Sequence, residues 1–153
     1  MSSLGYNHDL FILPFDHRSS FLKKMFASGL GGPLARREVE GREPTDEEIE
    51  KVKKAKTIIY RGFKKALSQG LPRESCAILV DEQFGDDLLK DAHENGFTII
   101  LTVERSGQEE FDFEYGDEFG KHIKKYDPTF IKALMKYNPE GEKELNARQR
   151  EKL

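Results

Sequence analysis

At 153 residues the chain has the length of one ordinary domain, and 37 % of its residues are hydrophobic, enough to form a core. Its 25 basic and 28 acidic residues are interleaved and give a net charge of −3, which argues against nucleic-acid binding. No apolar run reaches the roughly 18 residues of a membrane span, and the first residues lack a cationic segment followed by an apolar one. A single cysteine, Cys76, excludes an internal disulfide framework and a cysteine-based metal cluster. We therefore expect a soluble cytoplasmic protein without nucleic-acid or membrane partners.

The chain begins with a polar segment, residues 1–9, which we expect to lead into a first strand over residues 10–15. Pro14 lies in that strand and cannot donate a hydrogen bond to a sheet, which indicates an irregular exit. Residues 18–25 predict a short helix. Residues 29–44, with several glycines and mixed charges, form the longest irregular stretch.

A long helix is predicted next. Thr45 and Glu48 have the spacing of a capping box, in which the hydroxyl and the carboxylate each satisfy a free backbone amide. Apolar residues then recur with a helical period as far as Gly70, which is a plausible helix end. They are Ile49, Val52, Ala55, Ile59, Phe63 and Leu67. The pattern predicts a helix of about 24 residues.

Four apolar runs end in charged or polar residues. The clearest, Cys76 to Val80, is apolar at consecutive positions, which is typical of a strand covered on both faces in a parallel sheet. The runs and their endings are 10–15 with Asp16-His17-Arg18, 76–80 with Asp81-Glu82, 97–103 with Glu104-Arg105, and 133–135 with Lys136-Tyr137-Asn138. Because parallel α/β folds bind ligands at the carboxyl ends of their strands, we expect these polar residues to share one rim.

Further helices are predicted over residues 86–95, 117–125 and 142–153. Between them, Phe111, Phe113 and Tyr115 alternate with Asp112 and Glu114, as in an edge strand or an ordered loop over the strand ends. These aromatic residues either pack against the core or form a lid over a substrate.

The order strand, helix, strand, helix, repeated four times, predicts right-handed parallel β/α units. A complete eightfold barrel needs roughly 250 residues. We therefore predict that residues 10–153 form an α/β domain that is the first half of a TIM barrel, with parallel strands.

Several motifs also resemble a known family. LFILPFDHR, ILVDEQFG, VERSGQEEFDFEYG, and KALMKYNPEG followed by NARQ are similar to the first half of the aldolase-like domain fused to 5-dehydro-2-deoxygluconokinase in bacterial inositol catabolism. That domain is itself similar to the class I tagatose 1,6-bisphosphate aldolases, which are eightfold barrels. The resemblance extends from Leu10 to Leu153 and covers about half of the family's domain.

The resemblance implies a lyase that cleaves a ketose phosphate, such as 2-deoxy-5-keto-gluconate 6-phosphate, through a lysine Schiff base and without a cofactor. By position, Asp16 matches an aspartate at the end of strand one of these aldolases, and Lys132 matches an active-site lysine of strand four. The resemblance places the glutamate of strand five, the Schiff-base lysine of strand six and the late phosphate-binding loops beyond Leu153. It therefore implies a fragment with little or no activity alone.

The residues themselves leave the role of Lys132 open. It lies among Phe130, Ile131 and Ala133, and burying an ammonium in such a strand is costly unless it is paired or neutral. A desolvated lysine has a lowered pKa, which suits nucleophilic or proton-transfer chemistry. Alternatively, the strand starts at Ala133 and Lys132 lies at its solvated entrance.

Asp16 follows an apolar strand, where an aspartate either orients a substrate hydroxyl and transfers protons or caps the next helix. The candidate substrate-binding residues at the strand ends are His17, Arg18, Asp81, Glu104, Arg105 and Asn138. Asp81 and Glu82 point to opposite sides of a strand, so only one of them faces the centre of the rim.

Glu104 and Arg105 form either a rim pair or a structural salt bridge. An arginine at a strand end suits a phosphate, although it more often meets a neighbouring carboxylate. The 4 histidines lack the spacing of metal ligands, so we expect no metal site.

Two functional hypotheses follow. The first is the amino-terminal half of an aldolase-like barrel that binds a sugar phosphate in a partial active site. The second is a non-catalytic half barrel that pairs with itself or with a separately encoded second half. Open parallel strands expose two edges and an apolar interior, which monomers avoid, so we expect a pairing partner in either case.

Overall fold

A four-stranded parallel sheet forms the centre of the computed structural model, which describes residues 6–22 and 44–153. The strands follow one another across the sheet in chain order, and each pairs in parallel with the next. They are β1 (Phe11–Pro14), β2 (Cys76–Val80), β3 (Thr98–Thr102) and β4 (Phe130–Lys132). The predicted α/β class with a parallel sheet is confirmed.

The helices connect and flank these strands. They are α1 (Asp46–Ser68), α2 (Glu82–Glu94), α3 (Phe119–Tyr126) and α4 (Lys143–Lys152), with 3-10 turns at Arg73–Ser75 and Gly116–Glu118. Of the short helix predicted over 18–25, residues 19–22 are helical, residue 18 is not, and residues 23–25 lie outside the described residues, as does most of the irregular stretch predicted over 29–44. None of the helices in the described ranges is long and apolar enough to cross a membrane.

Helix α1 begins at the predicted capping box. The amide of Glu48 donates to Oγ1 of Thr45 at 3.3 Å, and the amide of Thr45 donates to Oε2 of Glu48 at 2.8 Å. Its 23 residues agree with the predicted length, and its buried face consists of Val52, Lys56, Tyr60 and Phe63. A lysine therefore occupies a position in the apolar stripe of the helix.

The core lies between the sheet and helices α1 and α2. Alternate residues of the central strands face these helices, because successive side chains of a strand point to opposite faces. The cluster includes Cys76, Ile78 and Val80 of β2, Ile99 and Leu101 of β3, Tyr60 and Phe63 of α1, and Leu88, Leu89 and Ala92 of α2. Helix α2 lies so close to β2 that a Cβ on Gly85 would be 2.5 Å from Cγ2 of Val80.

The fourth strand lies earlier in the chain than predicted. We expected the apolar run 133–135, with Lys132 either inside the strand or at its entrance, but β4 consists of Phe130–Lys132, paired with Ile100 to Thr102 of β3, so Lys132 lies inside the strand. Asp127, with a left-handed φ of 43°, ends α3 just before Pro128, so the chain is extended from residue 130. Leu134 is 60 % exposed and lies beyond the sheet. Lys132, rather than Lys136, therefore occupies the carboxyl end of the strand.

The segment after β3 is an ordered loop that folds back on the strand. Glu104 and Phe113 form an antiparallel bridge, and the amide of Arg105 donates to the carbonyl of Asp112 at 2.8 Å. Phe111 is buried, and the rings of Phe113 and Phe119 stack with centroids 3.9 Å apart. Phe111 and Phe113 therefore pack within the protein. This was the first of the two alternatives for these aromatic residues, the other being a lid over a substrate.

Candidate active site

Three charged side chains meet at the carboxyl ends of the strands. Nζ of Lys132, at the end of β4, lies 3.0 Å from Oδ2 of Asp16 and 2.6 Å from Oε1 of Glu104. Asp16 follows β1 and Glu104 follows β3, so three strands supply the group. The side chain of Lys132 is 29 % exposed, against 12 % for Asp16 and 8 % for Glu104. Lys132 is therefore the most accessible of the three side chains in this Lys132 cluster.

Asp16 also accepts a hydrogen bond from Oγ1 of Thr102, at 3.0 Å. Thr102 ends β3, and β2 separates β3 from β1. Across two strand spacings of a flat sheet the backbones lie about 9 to 10 Å apart, too far for two short side chains joined by one hydrogen bond. The chain leaving β1 therefore curves toward β3 on this face.

Arg18 fixes Glu104 from the other side. Its Nη2 donates to the carbonyl of Glu104 at 2.7 Å and to Oε1 at 3.2 Å, while Nη1 donates to Oε2 of Glu114 at 2.7 Å. Its side chain is only 5 % exposed. Because both ends of the guanidinium fork bind carboxylates, Arg18 ties the loop after β3 to the end of β1.

The two carboxylate oxygens of Glu104 differ in their hydrogen bonding. Oε1 accepts from both Lys132 and Arg18, whereas Oε2 is buried and has no hydrogen-bond partner among the described residues. A buried carboxylate oxygen without a donor is costly, so this atom is suited to accept a hydrogen bond from a bound molecule.

The electrostatics of the Lys132 cluster favour charged side chains. Burial raises the pKa of the Asp16 carboxyl, but the hydrogen bond and charge of Lys132, together with the Thr102 hydroxyl, outweigh it and hold this pKa below its usual value. Burial lowers the pKa of Lys132, but its hydrogen bonds to Glu104 and Asp16 and their charges outweigh it and raise this pKa. Lys132 is therefore an ammonium at neutral pH, contrary to the lowered pKa expected from desolvation alone.

A second ion pair lies next to the cluster. Nζ of Lys56, from the middle of α1, contacts Oδ1 of Asp81, and both side chains are 1 % exposed. The other oxygen of Asp81 accepts from the amide of Phe84 at 2.8 Å and so caps α2. Asp81 is therefore fully engaged within the protein, and Glu82 turns away to His122 and Lys125.

The other candidate residues lie apart from these contacts. His17 is exposed and lines a small cavity of about 80 Å³ beside Lys56. The side chain of Arg105 is exposed. Oδ1 of Asn138 accepts from the amide of Glu140 at 3.1 Å, which stabilises the turn after β4. Of the predicted site residues, the structure brings together Asp16, Arg18, Glu104 and Lys132.

Three residues of the site were missed by the sequence analysis. Lys56 lies four residues after Val52 and four before Tyr60, so its place in the helical stripe was a usable signal. Thr102 lies two residues before Glu104 and therefore shares its side of the strand. Glu114 carries no comparable signal, because the fold of the loop brings it to Arg18.

Comparison with known proteins identifies one family. Residues 5–153 match DUF2090, described as an uncharacterized protein conserved in bacteria. This match covers nearly the whole chain, so the chain belongs to that family. No curated protein and no solved structure shows a significant match.

Proposed function

We propose that this member of the DUF2090 family supplies part of the active site of a lyase that cleaves a ketose phosphate by a Schiff-base route. The observation that carries the proposal is the Lys132 cluster at the carboxyl ends of parallel strands. Ligands bind at this position in parallel α/β folds because loops replace the regular backbone there. The resemblance of the strand-end motifs to the aldolase-like domain supplies the reaction class.

In this proposal the sheet is the first half of a TIM barrel. Two features support this architecture: the strands are parallel and in chain order, and the chain curves so that Asp16 reaches Thr102 two strands away. Side chains from alternate strands meet in the same way inside eightfold barrels.

The charged state of Lys132 determines its role. An ammonium has no lone pair and does not attack a carbonyl, so the Schiff-base lysine is a different residue. Two protons of Lys132 are directed to Asp16 and Glu104, which leaves one for a substrate oxygen. Asp16, a carboxylate with a lowered pKa, orients a neighbouring substrate hydroxyl rather than acting as a strong base.

These roles fit the bond-breaking step of a retro-aldol reaction. The carbon–carbon bond breaks, and its electron pair forms the double bond of an enamine while the π pair of the iminium returns to nitrogen. The carbon that bore the hydroxyl becomes an aldehyde as the hydroxyl proton passes to Oε2 of Glu104, the carboxylate oxygen without a partner among the described residues. Negative charge accumulates on the hydroxyl oxygen during the step, and the free N–H of Lys132 stabilises it.

The cluster suits the hydroxyl-bearing part of the substrate rather than its phosphate. Asp16, Glu104 and Glu114 give three formal negative charges, Arg18 and Lys132 give two positive ones, and the difference is −1. Since the guanidinium of Arg18 already binds two carboxylates, we place the phosphate outside the Lys132 cluster.

Nuclear magnetic resonance of the 153-residue chain tests this proposal. Titration with 2-deoxy-5-keto-gluconate 6-phosphate is expected to shift the side-chain signals of Asp16, Glu104 and Lys132 in the wild type, and to shift those of Asp16 and Glu104 far less in Lys132→Ala. The control is Lys136→Ala, because Lys136 is an exposed lysine that pairs with Glu109 and lies outside the cluster. Saturating ligand without shifts at these residues contradicts the proposal.

A second candidate function is assembly of the barrel from two copies of this chain. Apolar side chains are exposed at both outer strands: Phe11 and Ile12 are 71 % and 46 % exposed at β1, and Ile131 is 50 % exposed at β4. An apolar groove of about 450 Å³ also runs between β1 and α1. A two-fold axis parallel to the strands pairs β1 of each copy with β4 of the other, so both edges are covered at once.

Light scattering on a sizing column tests this assembly. The wild-type chain is expected to elute as a dimer and Ile131→Lys as a monomer. Glu94→Lys, at the exposed end of α2, is expected to remain dimeric. A folded wild-type monomer at micromolar concentration contradicts the assembly and leaves the Lys132 cluster as the basis of the first proposal.

A further inference from the structure

Arg18 is almost fully buried beside the Lys132 cluster, yet it takes no part in the proposed bond-breaking step. Its side chain is 5 % exposed. Nη2 donates to Oε1 of Glu104 at 3.2 Å and to the backbone carbonyl of the same residue at 2.7 Å. One nitrogen therefore holds the carboxylate of Glu104 in a fixed position relative to its own backbone.

Glu114 holds the other arm of the guanidinium. Nη1 of Arg18 donates to Oε2 of Glu114 at 2.7 Å. The amide of Glu114 donates to the carbonyl of Val103 at 2.9 Å, so its backbone is attached to the residue that precedes Glu104. Because the donors of a guanidinium lie in one rigid plane, a carboxylate on Nη1 restricts the rotation of Nη2. The contact of Arg18 with Glu104 thus depends on Glu114.

Direct hydrogen bonds continue from Glu114 into the Lys132 cluster. Negative and positive side chains alternate in the order Glu114, Arg18, Glu104, Lys132 and Asp16, with contacts of 2.7, 3.2, 2.6 and 3.0 Å. Oε1 of Glu104 is the shared atom, since it accepts from both cations. A change at Glu114 therefore reaches the ammonium through atoms that are in contact.

Attachment of the loop after β3 does not by itself explain the burial of Arg18. The same loop is attached to α4 by Glu110, which binds Arg148 at 3.0 Å, and that arginine is 51 % exposed. An exposed pair avoids the several kcal/mol that it costs to remove a charge from water. The burial of a guanidinium against Glu104 therefore points to a second role.

We propose that Glu114 is a positioning residue, which acts through Arg18 to hold the carboxylate of Glu104 against Lys132. With both cations on Oε1, the other oxygen, Oε2, has no partner among the described residues. This orientation leaves Oε2 as the atom that takes the proton of the substrate hydroxyl. The proton transfer rests on the proposed function, whereas the positioning of Glu104 does not.

The test changes the contact of Glu114 with Arg18 and leaves Arg18 in place. Glu114→Ala removes the contact, and Glu114→Asp withdraws the same charge by one methylene. Glu114→Gln keeps an oxygen that accepts from Nη1. The matched control is Glu110→Ala, because Glu110 lies in the same loop and is 33 % exposed, against 28 % for Glu114.

The readout is the titration midpoint of the Lys132 Cε signal in carbon-13 magnetic resonance, with circular dichroism confirming the fold. Burial lowers the pKa of Lys132, and the hydrogen bond to Glu104 is foremost among the contacts that raise it. The midpoint is therefore expected to fall in Glu114→Ala and Glu114→Asp, and to stay as in the wild type in Glu114→Gln and Glu110→Ala. An unchanged midpoint in folded Glu114→Ala overturns the inference, as does an equal fall in Glu114→Gln or in the control.

No substrate enters this measurement, so its outcome is independent of the lyase proposal. A lower midpoint in Glu114→Ala, without binding of 2-deoxy-5-keto-gluconate 6-phosphate to the wild type, supports the positioning role and refutes the proposed function. Binding to the wild type with an unchanged midpoint in Glu114→Ala has the opposite meaning.

Discussion

Nζ of Lys132 lies 3.0 Å from Oδ2 of Asp16, although their strands form opposite edges of the sheet. Glu104, from the strand next to β4, completes the contact at 2.6 Å. Residues far apart in sequence therefore form a single charged group at the carboxyl ends of the strands. The proposed function depends on this group.

Removing the ammonium of Lys132 leaves two mostly buried carboxylates without their shared partner. We expect Lys132→Met to lower the free energy of unfolding by about 2 kcal/mol, because an unsatisfied buried charged group costs at least as much as a lost hydrogen bond. Urea denaturation at pH 7 measures this change. Lys136→Met provides the comparison: its partner Glu109 is 85 % exposed, so a loss below about 1 kcal/mol is expected. Equal losses in both variants contradict the account.

Acid is expected to weaken the cluster through Asp16. Its pKa lies below the ordinary 3.8, so its ionised form stabilises the fold at higher pH. That stabilisation is lost as the pH falls below about 4, through the folded-state pKa. Asp16→Asn has no proton to bind, and its urea midpoint is expected to fall less steeply than that of the wild type between pH 5 and 2. An equal fall of the urea midpoint with pH in the two proteins contradicts a lowered pKa of Asp16.

Arg18 is expected to hold the loop after β3 in place. Arg18→Met removes the contacts with Glu104 and Glu114, and breaking such a buried pair costs about 3 kcal/mol. Amide hydrogen exchange is expected to speed up across residues 105–114 more than in α1. A uniform increase over the whole chain indicates a general loss of stability instead of a local opening.

The carboxyl-terminal helix is held by a buried glutamine rather than by apolar packing. Gln149 is fully buried; its Oε1 accepts from the amide of Phe111 at 2.7 Å, and its Nε2 donates to the carbonyl of Lys136 at 2.9 Å. We expect Gln149→Leu to cost about 2 kcal/mol, because both backbone groups lose their partner. Limited proteolysis is expected to cleave near α4 faster than in Arg150→Ala, where the replaced side chain is exposed. Equal cleavage rates contradict this anchoring role.

The sequence was sufficient to predict the parallel sheet, the capping box of α1 and the charged strand ends. The periodicity of apolar residues and the presence of turn residues are local signals. They identify a helix or a strand, but not the elements that pack against it. The position of β4 was not predictable in this way, since the apolar residues 133–135 look more like a strand than the three residues that pair with β3. Register depends on the partner strand, which a local pattern does not contain.

The charge state of Lys132 and the partner of the buried Lys56 were also beyond the sequence. A lysine in an apolar stretch is either desolvated and neutral or paired and charged. The two alternatives differ only in whether carboxylates from other elements lie next to the amine. Asp16 and Glu104 are 116 and 28 residues away from Lys132 in the chain. Long-range contacts of this kind decide pKa values and cannot be read from local composition.

The most direct test of this account is the pH titration of Lys132 itself. Carbon-13 labelling of lysine, with assignment of the Lys132 Cε signal by Lys132→Arg, reports the protonation of its ammonium. The account predicts a charged side chain at neutral pH with a midpoint above the ordinary 10.5, because Glu104 and Asp16 stabilise the ammonium. A midpoint well below 10.5 would contradict it, since Lys132 would then be closer to a neutral amine and a candidate nucleophile.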